Sequence, residues 1–309
     1  MEASSKTWFV IINPTSGNGS AKKKWPKIEQ FLIQNKFHFT HQFTEHSNHG
    51  SELVQKAISK GILNIICIGG DGTLHNVVNG IMSQNVVASN TVCVGVIPIG
   101  TGNDWVKTYA IPKKIEGAIQ IIKNGHTKQQ DIGKVEVKNE STKTLYFNNL
   151  LGVGFDGYVV SKANKIKKFG ALAYILGTLK GLISFNNFKS KTTLNSEVIE
   201  GKTLMVLIGL CKYSGGGMLL TETPNPTDGL FDVSIGGDFG KFTILKNTPK
   251  MFNGKVVDVD GYKTYKTDSI SVEILENNKP FIEADGELIG TGNLDVSIMK
   301  NAFSFYAPN

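Results

Sequence analysis

Three short stretches gather glycine with small hydroxyl, amide and carboxylate residues: Asn13-Pro14-Thr15-Ser16-Gly17-Asn18-Gly19-Ser20, Gly69-Gly70-Asp71-Gly72-Thr73 and Gly100-Thr101-Gly102-Asn103-Asp104. Glycine lets backbone N–H groups close on phosphate oxygens, and a helix that begins just afterwards adds its positive N-terminal end. Alone, each stretch is better explained as a tight turn. All three, however, follow apolar, strand-like runs, which puts them at the carboxyl ends of strands, where open α/β sheets bind ligands. Together they suit a nucleoside triphosphate.

Two familiar ways of holding a nucleotide are excluded by spacing. No GxxxxGK[ST] occurs, so a P-loop lysine does not hold the phosphates. A GxGxxG does occur at Gly152, Gly154 and Gly157, after a strand-like run and before a helical one, but no Asp or Glu follows between Gly157 and Glu197. A dinucleotide site needs an acid about twenty residues on for the ribose, so that reading fails.

The elements that must position these loops alternate. Strand patterns at Thr7 to Ile12, Phe37 to Phe43, Asn64 to Ile68 and Val92 to Ile97 are separated by helical patterns at Ala21 to Gln34, Ser47 to Ser59 and Leu74 to Met82, with a further helix from Pro112 to Asn124 ending at Gly125. This predicts a parallel sheet with covering helices over residues 1–128. Beyond that the period changes. Short strands at Lys134 to Val137, Leu204 to Cys211, Leu230 to Ile235, Ile270 to Ile274 and Leu294 to Ile298 predict a β-sandwich or barrel over 129–309, with a helical insertion at about 157–185.

With 309 residues and 40% hydrophobic content, the chain can bury two modest cores. Cys67, Cys93 and Cys211 sit in apolar runs without CxxC spacing, which predicts core thiols in a reducing compartment. No signal-peptide pattern and no apolar run of spanning length appears, so a cytoplasmic protein is expected. Net charge is +7, and residues 157–196 hold seven lysines and no acid, leaving 26 basic against 26 acidic residues elsewhere. Phe169, Tyr174, Phe185 and Phe188 share that segment. The mixture suits either a solvated helix face or peripheral association with an anionic membrane surface.

In their order, Asn13-Pro14-x-Ser16-Gly17, Gly69-Gly70-Asp71-Gly72-Thr73, Gly100-Thr101-x-Asn103-Asp104, Asp131-Ile132-Gly133, Gly154-Phe155-Asp156, Asp228-Gly229-Leu230-Phe231-Asp232 and Asp285-Gly286-Glu287 span nearly the whole chain. This set resembles the diacylglycerol kinase catalytic-domain family, relatives of sphingosine and ceramide kinases. The resemblance implies an α/β nucleotide-binding domain like those of NAD kinases and phosphofructokinases, a C-terminal β-sandwich, and an active site in the cleft between them. It assigns ATP binding to Asn13, Pro14, Thr15, Ser16, Gly17, Thr44, Gly69, Gly70, Asp71, Gly72, Thr73 and Thr101. Asp285 would be the general base for a lipid hydroxyl, with Glu287 in support. Asp-Gly is also a strong hairpin-turn signal in its own right. Mg²⁺ is implied as cofactor, with Asp71 near it and a second, structural ion at Asn225, Asp228 and Leu230.

One departure is Trp105-Val106-Lys107-Thr108, where the family often has Ala-Arg; lysine keeps the charge but loses the two-pronged contact. The six histidines show no metal-site spacing and are expected on the surface or in loops. The leading expectation is phosphoryl transfer from ATP to diacylglycerol or a related lipid. A soluble acceptor such as NAD, and a binding protein without chemistry, are the alternatives. Nucleic-acid binding lacks a recognised module, and a homodimer is left open.

Overall fold

The structure, a computed structural model, describes residues 6–163, 184–277 and 279–309. Two compact units result: Met1–Ile132 together with Lys300–Asn309, and Gly133–Met299. The last ten residues therefore belong with the first unit, which the change of period along the sequence did not indicate.

In the first unit β1 (Thr7–Ile12), α1 (Ser16–Gln34), β2 (His38–Phe43), α2 (His49–Ser59), β3 (Asn64–Gly69), α3 (Asp71–Ser83), β4 (Cys93–Pro98), α4 (Asp104–Thr108) and α5 (Ile115–Asn124) follow one another. The strands lie parallel in the order β2-β1-β3-β4. Apolar runs such as Ile65 to Ile68 occupy the centre, where both faces are covered, while the polar Thr40-His41-Gln42 lies on the edge strand β2. Val10, Ile12, Ile66, Ile68 and Ile97 pack with Trp25, Ile28 and Leu32 of α1 and Ile115, Ile119 and Ile122 of α5. Each such side chain contributes on the order of 1.5 to 3 kcal/mol on burial. Cys67 in β3 and Cys93 in β4 are free thiols, and burial pushes them up to about 12 and about 11, which leaves them un-ionised.

The second unit contains the second half of β5 (Thr127–Lys138), then β6 (Thr142–Phe147), β7 (Leu150–Gly154), α6 (Phe155–Ala163), β8 (Phe188–Leu194), β9 (Glu197–Thr203), β10 (Met205–Gly209), β11 (Phe231–Gly236), α7 (Lys241–Asn247), β12 (Tyr262–Thr267), β13 (Ser269–Ile274), β14 (Phe281–Ala284), β15 (Glu287–Thr291) and the start of β16 (Asn293–Tyr306). One layer is an antiparallel sheet in the order β12-β11-β10-β7-β14-β15. Its central strands β7, β10 and β11 are buried along their whole length. Antiparallel pairs β5–β6, β8–β9, β8–β13 and β13–β16 form the remainder. The result is the expected architecture, an α/β unit with a mostly parallel sheet and an antiparallel sandwich-like unit.

Differences from the sequence reading have local causes. Strands such as β9 and β12 alternate lysine, glutamate and threonine with few apolar residues, so periodicity does not reveal them. His75 is 6% exposed on α3, against the surface or loop position expected of every histidine. It falls on the helix face that also buries Leu74, Val78 and Met82. Of the anticipated helical insertion, α6 supplies the start; residues 164–183, with Lys165, Lys167, Lys168 and Lys180, lie outside the described residues.

Candidate active site

The first glycine-containing loop leaves β1 at Asn13, whose N–H donates to Ile68 O of the neighbouring β3 at 3.1 Å. Asn13 Oδ1 accepts from the Thr15 N–H at 3.1 Å and the Thr15 hydroxyl at 2.8 Å, closing a small turn. Its Nδ2 donates to Thr73 Oγ1 at 3.1 Å, and Ser16 Oγ lies 3.4 Å from the same oxygen. Thr73, 5% exposed, thus knots the first loop to the second. Gly17, Asn18 and Gly19 follow with φ of 59°, 54° and 81°, a left-handed run that glycine adopts without steric cost and asparagine tolerates best among the rest. Thr44 joins this edge through its N–H, which donates to Ile12 O at 2.8 Å.

The second and third loops touch through backbone. A Cβ at Gly100 would stand 2.7 Å from the Cα of Gly70 and 2.6 Å from Asn103 Oδ1, so only glycine permits the approach. A Cβ at Gly69 would overlap the Thr73 side chain. Ile99 N–H donates to Gly69 O at 2.7 Å, and Asn103 Nδ2 to Gly100 O at 2.8 Å. Asp71 opens α3, where the helix end favours negative charge, and its Oδ1 accepts the Trp105 N–H at 3.2 Å. Gly102 lies against its other oxygen: a Cβ there would be 3.1 Å from Asp71 Oδ2. Lys107, standing where the family often has arginine, holds Asp104 Oδ1 at 2.6 Å. Thr101 is exposed in the third loop. The three loops predicted to carry nucleotide contacts therefore come together at one edge of the sheet.

In the second unit Asp285 and Gly286 join β14 to β15 with φ of 53° and 83°, the two positive values a two-residue turn between twisted strands requires. The Asp285 carboxylate accepts three backbone N–H groups, from Asn148 at 3.1 Å, Asn149 at 2.9 Å and Leu150 at 3.2 Å. Its own N–H donates to Leu150 O at 2.9 Å. Turn and cradle both hold this carboxylate in one orientation. Glu287 begins β15 beside it.

Behind the turn stands an acid that the sequence reading passed over. Glu283 is 2% exposed, and its Oε2 accepts the Gly286 N–H at 2.7 Å. Its Oε1 is buried against Asp156 of α6 and receives no other donor. Burial, and the Asp156 charge beside it, push the Glu283 carboxyl well above the usual carboxylate range; burial raises Asp156 as well. Gly152 admits the pair, because a Cβ there would lie 2.4 Å from Asp156 Oδ2 and 2.9 Å from Glu283 Oε1. The available signal was a lone acid in the apolar strand just before Asp-Gly.

Asn225, Asp228 and Leu230 lie in one turn. Asp228 Oδ1 accepts the Leu230 N–H at 3.0 Å, and Asn225 Oδ1 accepts Thr227 N–H at 3.1 Å. Lys266 Nζ reaches Asp228 Oδ2 at 3.3 Å, Asp232 Oδ2 at 3.6 Å and Thr223 O at 3.0 Å. Asp232, 2% exposed, also accepts Glu222 N–H at 2.8 Å. A lysine ammonium thus meets the Asp228 and Asp232 carboxylates at this turn, where the resemblance implies an ion held by one carboxylate and main-chain carbonyls.

A parallel sheet with glycine-containing loops gathered at one edge and an antiparallel sandwich-like unit with a backbone-clamped carboxylate make up the two units. Residues 7–135 match the family described as the diacylglycerol kinase catalytic domain, and residues 149–307 the YegS C-terminal NAD kinase beta sandwich-like domain. YtlR of Bacillus subtilis is 30% identical over 308 residues, covering 92% of this chain and 94% of YtlR. A protein named diacylglycerol kinase from Mycobacterium tuberculosis is 25% identical over 302 residues, covering 97% and 94%. A Bacillus anthracis crystal structure described as a diacylglycerol kinase superposes with a TM-score of 0.73 at 22% identity, covering 98% of this chain and 97% of its own. The chain belongs to the diacylglycerol kinase catalytic-domain family and is a kinase.

Proposed function

We propose that this kinase transfers the γ-phosphate of ATP to a hydroxyl of diacylglycerol or a closely related lipid. The observation that carries the reading is the knot of glycine-rich loops around Thr73 and the Gly70–Gly100 contact, which brings main-chain N–H groups and Asp71 to one edge of the sheet. Names of the relatives support the acceptor class. In this reading Asn13 through Gly17, Thr44, Gly69 through Thr73 and Thr101 hold the triphosphate. Asp285 takes the proton of the lipid hydroxyl as that oxygen bonds to the γ-phosphorus and the bond to the ADP oxygen breaks. Its N–H cradle and the tight turn spend orientation in advance, so little is lost at the moment of reaction. Glu287 supports it.

The donors at the first site fit magnesium: a carboxylate, Asp71, at a helix start, facing a glycine that leaves room for hard oxygen ligands. Bound there, the ion would neutralise phosphate charge. No step is assigned to a second ion at Asp228. Among the described residues no helix is long and apolar enough to cross a membrane; in this reading the protein acts peripherally on the cytoplasmic face. The reading is tested by incubating the protein with labelled ATP and either diacylglycerol vesicles or NAD. Label entering the lipid is expected; label entering NAD, or neither, contradicts it.

A further inference from the structure

Residues 239–257 of the second unit carry a face that the kinase chemistry does not use. They form α7, the 3-10 turn Thr248–Phe252 and the start of a second one, Lys255–Asp258. Their inner side, Phe239, Ile244, Met251 and Val256, packs into the core with Tyr262. On the outer side Phe242, Leu245 and Phe252 are 78%, 54% and 52% exposed. Phe242 and Leu245 stand one helical turn apart, on the same side of α7. Lys241, Lys246, Lys250 and Lys255 are interleaved with them, and from Phe239 to Val257 there is no Asp or Glu. Lys246 and Lys255 are exposed.

Phenylalanines facing water among lysines suit one kind of surface well. At an anionic lipid interface the rings enter the boundary between headgroups and acyl chains while the ammonium groups stay with the phosphates. A second copy of this face would bring lysines against lysines. The chain's other lysine-rich stretch, 157–196, has no acid either and offers no countercharge. We propose that α7 and the turn after it dock the protein on an anionic bilayer through Phe242, Leu245, Phe252, Lys246, Lys250 and Lys255. The proposal rests on the lipid-kinase reading for why a bilayer is the partner, and it assigns docking to side chains outside segment 157–196, whose Asn187 Nδ2 donates to Phe239 O at 3.0 Å and whose Phe185 joins the cluster on the inner side of this face. With few apolar groups and few charges the attachment is reversible.

The test is flotation of the full chain, without nucleotide, on vesicles of phosphatidylcholine alone or mixed with phosphatidylglycerol. The wild type is expected on the mixed vesicles only. Two variants, F242S/L245S/F252S and K246E/K250E/K255E, should each lower the bound fraction at least about tenfold with unchanged melting curves, since these side chains are on the surface. Both should phosphorylate a short-chain, water-soluble diacylglycerol at the wild-type rate. A wild type that binds vesicles but phosphorylates no diacylglycerol sinks the diacylglycerol reading and leaves the docking face standing. Variants that bind like the wild type, equal binding to neutral vesicles, or no vesicle binding at all overturns the proposal. So does an apolar variant that turns a dimer into a monomer in sedimentation, because the face would then be a contact between copies.

Discussion

Glu283 Oε2 accepts the Gly286 N–H at 2.7 Å, tying a buried acid to the turn that carries Asp285. The same acid meets Asp156 of α6, so the turn is held from behind as well as by its N–H cradle. Positioning, more than proton transfer, is the role this geometry gives the Asp156–Glu283 pair.

The pair makes stability depend on pH with a definite sign. Unfolded, Glu283 loses its proton near the ordinary value of 4.5; folded, it keeps it to higher pH. The native state thus binds more protons above that value, and stability falls as pH rises toward the raised folded value. Glu283→Gln imitates the protonated acid, and its thermal midpoint should fall less than that of the wild type from about pH 5 to about pH 8. Parallel curves for the two proteins would contradict the raised Glu283 carboxyl.

Thr73→Val removes the hydroxyl that Asn13 and Ser16 share. We expect a stability loss of about 1 kcal/mol in urea unfolding and several-fold weaker ATP binding by calorimetry, because the first loop loses its anchor. A variant that binds ATP normally would show that the knot does not shape the nucleotide site.

Gly100→Ala forces a methyl against the Gly70 backbone, where neither side is a flexible chain end. The expected cost is about 1 to 3 kcal/mol, with ATP affinity falling because the two loops must part. Crystallography with nucleotide and calorimetry would check both effects; unchanged affinity counts against a cradle formed by this contact.

Much of the fold, and the loops of the candidate site, could be read from residue order because those signals are local. Glycine loops after apolar runs marked the sheet edge, and Asp285-Gly286 marked its own hairpin. Other features depend on distant partners. Lys266 meets Asp228 only after β11 and β12 pair, so residue order does not reveal that ion pair. Glu283 gains its meaning from α6, and the end of β16 from pairing of Ser304 and Phe305 with Cys93 and Val94. His75 could be placed only by knowing which face of α3 is covered.

Lys266 should stand in for a cation at the Asp228 turn. Chelation of divalent ions should leave the melting temperature of the nucleotide-free protein unchanged. Lys266→Met should lower stability by roughly 1 kcal/mol, held down by the lysine's 39% exposure. A marked drop in melting temperature on chelation would restore the divalent ion to this turn.

Asp285→Asn tests the central claim most directly, since it keeps the shape and removes the base. Steady-state phosphorylation of diacylglycerol should fall more than about a hundredfold, while ATP affinity measured by calorimetry with magnesium stays within about twofold of wild type. Near-normal turnover in that variant would contradict the account.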